Sequence, residues 1–134
     1  AHFSRLTCFG NQNTKMLVEQ GALMACGNDG GIQACTPAMI AHELSMLNLF
    51  MNDEAFDKKF NGMAAVQTAT INSAKSMGID NQFGSIQTGK VADFAVVDGN
   101  PFADLSVLGK IVDALFMDGR LIINNCGLEV LKTN

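Results

Sequence analysis

The sequence predicts an α/β chain in two parts: helices packed around one buried strand as far as Gly78, then a small β-rich unit over the remaining residues. Three observations carry this expectation. Ala22-Leu23-Met24-Ala25-Cys26 is a short apolar run bounded by Gly21 and Gly27, as in a parallel strand covered on both faces, although a run this short also fits a buried helical piece. Ile40, Leu44, Leu47 and Met51 recur at i, i+4, i+7 and i+11, the period of a helix with one apolar face. After Gly78 the helical period is lost, and Asp118-Gly119 stands between two apolar runs, the strongest hairpin signal in the chain.

The elements follow in order. Asn11 to Gln20 reads as a short helix stopped at Gly21, which takes the left-handed position after the last turn. The strand Ala22–Cys26 then opens into Gly27-Asn28-Asp29-Gly30-Gly31. Thr36-Pro37 supplies an N-cap and a proline at the first helical position, so a helix is expected from Pro37 to Met51. Asn52 to Phe60 is charged and fits a helical turn or two. Asn61-Gly62 marks a break before one further helix, whose small-residued face is Val66, Ala69, Thr70, Ser73, Ala74 and Met77, closing at Gly78. Gly84 to Lys90 is a turn between two strands, Val91 to Val97 a strand, Asp98-Gly99-Asn100-Pro101 a turn, and Ile111–Met117 with Leu121–Asn124 a hairpin. A lone parallel strand needs parallel neighbours, and the first part offers no second convincing one. The chain is therefore expected to complete a larger fold.

Composition narrows the function classes. With 134 residues, 48% hydrophobic and 16% charged, the chain can bury a core and is not intrinsically disordered. The apolar surplus points to surface meant for a partner. No apolar run approaches the roughly 18–20 residues of a membrane helix, and Ala1-His2-Phe3-Ser4-Arg5 lacks the pattern of a signal peptide, so a soluble, cytoplasmic protein is expected. The start at Ala1 fits a chain processed, tagged or cut from something longer. Nine Lys plus Arg against thirteen Asp plus Glu, with no basic cluster, argue against a nucleic-acid partner. Cys8, Cys26, Cys35 and Cys126 form no Cys-x-x-Cys pair and have no histidine at a zinc-finger interval, which favours buried free thiols.

Two motifs could carry chemistry. Gly84-Ser85-Ile86-Gln87-Thr88-Gly89-Lys90 matches the first seven positions of a phosphate-binding P-loop. Val91 stands where Ser or Thr must hold magnesium, and a strand pattern follows where a helix is required, so the segment reads as a turn. Asp29 lies just past the C-terminal end of the predicted strand, flanked by glycines, where α/β folds build their sites. A carboxylate there can hold a divalent metal and accept a proton from metal-bound water. Asn28-Asp29-Gly30-Gly31 taken by itself favours plain turn chemistry, and position alone does not decide. His42 is followed directly by Glu43, but adjacent helical residues point about 100° apart. No metal-type spacing is present, so His42 reads as structural or substrate-facing. His2 has no context.

Several segments together resemble the C-terminal part of the metal-dependent amidohydrolase superfamily, its imidazolonepropionase-like and prolidase-like members above all. They are Gly27 to Gly31, Pro37 with Met39 and Glu43-Leu44, Ala69 to Lys75 before Gly78, Gly84-Ser85-Ile86, Gly89 to Pro101, and Asp118-Gly119-Arg120. They fall in the expected order between about Gly21 and Ile123. The resemblance implies the last segment of a (β/α)8 TIM-like barrel over residues 1–78 and the C-terminal strands of a composite β-sandwich over residues 79–134. Asp29 would then be both a metal ligand and the base that deprotonates the attacking water, while Lys90 and Asp93 belong to a structural part of the motif. Asn28 departs from the family's Gly-Thr-Asp but keeps a small polar residue. The family's remaining ligands, a His-x-His pair, further histidines and often a bridging lysine, would lie upstream, since His2 and His42 are the only histidines here. A whole barrel takes about 250 residues.

The activity implied is hydrolysis of a C–N bond in an amide, cyclic amide or peptide by water activated on one or two divalent ions, zinc first among them. The partners implied are a small-molecule or peptide amide substrate and the missing N-terminal part of the enzyme, without which the chain is expected to be inactive. Homo-oligomerisation stays open. Two rival readings remain: a noncatalytic remnant or interaction module that keeps the β unit as a docking surface, and one chain of a split or nicked enzyme.

Overall fold

The computed structural model describes residues 13–27, 39–51 and 61–129. Helix α1 spans 13–19 and ends as expected at Gly21, whose φ is +79°. The Gly21 N–H donates to the Val18 carbonyl (3.0 Å) and the Ala22 N–H to the Leu17 carbonyl (2.9 Å), the paired bonds of a Schellman C-cap.

Residues 22–27 depart from expectation. They form no strand ladder, and they are not covered on both faces: Met24 and Cys26 are half-buried, whereas Ala25 and Leu23, the latter 49% exposed, face outward. Strand hydrogen bonds need a neighbouring strand, and none among the described residues lies alongside. At its far end the segment is held to α3 by a bond from the Cys26 N–H to the Thr68 carbonyl at 2.9 Å.

Helix α2, Ile40–Met51, ends where its apolar period does and buries Ala41, Leu44 and Met51; the expected start at Thr36-Pro37 lies outside the described residues, as does the segment 52–60. The single helix expected beyond Asn61 is two helices, α3 (Gly62–Thr68) and α4 (Ile71–Ser76). Asn61 caps α3 by accepting the Ala64 N–H on its side-chain oxygen at 3.0 Å. The break falls at Ala69-Thr70 because hydroxyls there compete for helix carbonyls. Thr68 Oγ1 donates to the Ala65 carbonyl (2.6 Å), Thr70 Oγ1 to Val66 (2.9 Å), and Ser73 Oγ to Thr68 (2.7 Å).

Beyond Gly78, at φ +71°, the chain builds a three-stranded antiparallel sheet in the order β1 (Phe94–Val96), β2 (Ala114–Met117), β3 (Arg120–Asn124). The hairpin turns at Asp118-Gly119 as expected, with φ of 50° and 72°, the left-handed pair that matches the strand twist. Leu115 faces Ile123 and Phe116 faces Leu121, so Ile122 is an extra residue that bulges β3. Phe94 stands opposite Phe116, and their rings stack with centroids 4.5 Å apart. Both β1 and β2 are shorter than expected: at 91 the backbone bonds leave the sheet, with Val91 N–H donating to the Gln82 carbonyl at 2.9 Å.

Between β1 and β2 lies a 3-10 helix, Leu105–Gly109, that the periodicity did not indicate. Asp104 caps it by accepting the Ser106 N–H at 2.9 Å, and the hydrogen bonds from Ser106 hold the Asp104 carboxyl below the usual carboxylate range. Leu105 and Val107 are buried. Leu105 joins Leu44, Met51 and Ala65 in one cluster, so the core runs across position 78.

Candidate functional site

Asp29, the residue to which the family resemblance assigns catalysis and metal binding, lies outside the described residues, as do His2, Cys8 and Cys35. The segment leading to it is described up to Gly27, and its anchor is Thr68. Thr68 is 1% exposed and is the buried polar residue of the described core. Its carbonyl accepts both the Cys26 N–H at 2.9 Å and the Ser73 hydroxyl at 2.7 Å, while its own hydroxyl is satisfied by Ala65. The chain three residues before Asp29 is thus tied to the junction of α3 and α4.

Cys26 is half-buried. Burial, and secondarily the Glu43 carboxylate, push its thiol up, against a hydrogen bond with the Thr68 side chain that works the other way. It is a free thiol packed against the core, half-buried where the sequence led us to expect a buried one. Cys126 does not follow that expectation: it is free but exposed, in the irregular segment just after β3. On α2, His42 is exposed and Glu43 half-buried, so the helix turns the two side chains apart. Among the described residues no three His, Cys, Asp or Glu side chains come together in a way that could hold a metal ion. The described part therefore does not fit a resident metal by itself.

The glycine-lysine segment is a structural clamp. It follows α4 and leads to β1, so it joins a helix to the sheet, which corrects the expectation of a turn between two strands. The Lys90 ammonium donates to the Asp80 carbonyl at 2.5 Å, the Ser85 hydroxyl at 2.7 Å and, more weakly, the Phe83 carbonyl at 3.4 Å. Its donors are already engaged by the loop it closes, which leaves them no phosphate to bind. Asp93 acts in the same way on the hairpin: its carboxylate accepts the Asp118 N–H at 2.7 Å, and Gly119 N–H donates to the Ala92 carbonyl at 3.0 Å. The Gly-Lys pair ahead of an apolar run was the signal for the clamp, but a lysine's partners ten residues upstream are not visible from spacing. Lys90→Met keeps the stem and removes the charge, leaving the loop oxygens without their donor. It is expected to lower stability by about 2–3 kcal/mol, read as a shifted urea midpoint at unchanged slope.

Between the α3 and α4 helices and β1 runs an open groove of about 620 Å³ lined by Val66, Met77, Phe83, Phe94, Val97 and Leu108, among others. Around it Met77 is 64% exposed and Ile86 88% exposed. The apolar surplus of the composition is thus carried as surface.

Comparison with known proteins defines the class. Residues 10–122 match the Amidohydrolase family, and the chain belongs to that family. It is 37% identical over 135 aligned positions to a 5-methylthioadenosine/S-adenosylhomocysteine deaminase of Teredinibacter turnerae, an alignment that takes in 92% of this chain and 30% of that protein. An imidazolonepropionase of Picrophilus torridus is 36% identical over 66 residues, 48% of this chain and 17% of its own length. Among solved structures, a Xaa-Pro dipeptidase with methionine bound in its active site superposes with a TM-score of 0.64 at 33% identity, over 83% of this chain and 25% of the other. The chain thus spans less than a third of the length of each of these proteins. No helix among the described residues is long and apolar enough to cross a membrane.

Proposed function

We propose that this chain is the C-terminal portion of a metal-dependent hydrolase that breaks a C–N bond in an amide, cyclic amide or peptide. The observation that carries the reading is the family match over residues 10–122, which takes in Asp29. Relatives named as deaminases, an imidazolonepropionase and a dipeptidase support the C–N bond as the common target. In this reading residues 1–78 are the closing segment of the barrel and residues 79–134 the last strands of the small sandwich. The outward Leu23 and Ala25 are surface suited to neighbouring strands of the upstream part.

Asp29 supplies one carboxylate. It takes the proton from the attacking water and returns it to the leaving nitrogen, so that nitrogen departs neutral. A divalent ion, zinc in our assignment, supplies Lewis acidity and a lowered water pKa when bound. One carboxylate holds such an ion weakly, so the other ligands belong upstream of this chain. The experiment is metal removal from the polypeptide that carries this segment with its upstream barrel. Dialysis against a chelator is expected to abolish hydrolysis of amide and cyclic-amide substrates, and added zinc to restore it. Undiminished turnover in a preparation shown to be metal-free would refute the reading.

A further inference from the structure

We draw no further inference here: the strongest candidate, the open apolar groove of about 620 Å³ between the α3 and α4 helices and β1, is an unpartnered face, and nothing in the structure shows what covers it.

Discussion

Asp29→Asn, made in the polypeptide that carries the upstream barrel, is expected to lower kcat by about two to four orders of magnitude, the usual worth of a positioned general base. The amide of asparagine keeps the size and the two-pronged shape of the carboxylate but cannot take a proton at neutral pH. At 1.36 kcal/mol per tenfold, that loss is about 3–5 kcal/mol of barrel-bound transition-state stabilisation. Asparagine is also a poorer ligand for a hard or borderline cation, so bound zinc should fall as well. The sequence around Asp29 is rich in glycine and asparagine, residues at home in turns, so with metal removed from both proteins the variant should unfold at the same urea concentration as the parent. Steady-state kinetics together with elemental analysis check this. A kcat within about twofold of the parent would take Asp29 out of the reaction.

A large effect on stability is expected at Gly62. A Cβ built there meets the Phe102 carbonyl oxygen at less than contact distance, with the Phe102 carbonyl carbon at 2.7 Å and its Cα at 2.9 Å. All three are backbone atoms, and the Phe102 backbone is itself held by a bond from its N–H to Asn100 Oδ1 at 3.0 Å. Two effects oppose each other in Gly62→Ala. Helix propensity favours alanine by about 1 kcal/mol, while the overlap forces α3 away from the segment before the 3-10 helix. Overpacking costs typically about 1–3 kcal/mol, and more where only backbone can give way. The clash therefore wins, and a net loss of about 2–4 kcal/mol is expected. Gly78→Ala is the control: φ is +71° but nothing lies within 4 Å of the new Cβ, so the cost should stay near the roughly 1–2 kcal/mol of a left-handed residue. Urea unfolding of both variants ranks them. A Gly62→Ala protein as stable as the parent would mean that α3 and Phe102 do not meet.

What the sequence made legible was set by local rules. Gly21 and Gly78 end helices because only a residue without a Cβ enters the left-handed region cheaply, and both do so here. Asp118-Gly119 sets the hairpin because aspartate tolerates, and glycine readily takes, the positive φ that this turn needs. The break in the expected long helix was not legible, because the face made by Val66, Ala69, Ser73 and Met77 is continuous in periodicity. Periodicity counts faces, whereas the break comes from hydroxyls of Thr68, Thr70 and Ser73 taking carbonyls. The Ala22–Cys26 run carries a strand's apolar composition, yet the ladder that defines a strand depends on a neighbour that the described residues do not provide. The short 3-10 helix had a usable sign in Asp104, two residues before the Ser106 N–H that it caps. Asp29 was legible only as a residue in a suggestive place. Its role as ligand and base belongs to our proposal, and the residue itself lies outside the described part.

The central claim is that this chain holds the last part of a site whose metal ligands lie upstream. Hydrolase activity of the purified 134-residue chain, assayed alone and then after reconstitution with the upstream barrel, tests it most directly. The chain alone is expected to hydrolyse nothing, and the reconstituted enzyme to show chelator-sensitive hydrolysis. Hydrolysis by the chain alone that is stopped by a chelator and by Asp29→Asn would contradict it.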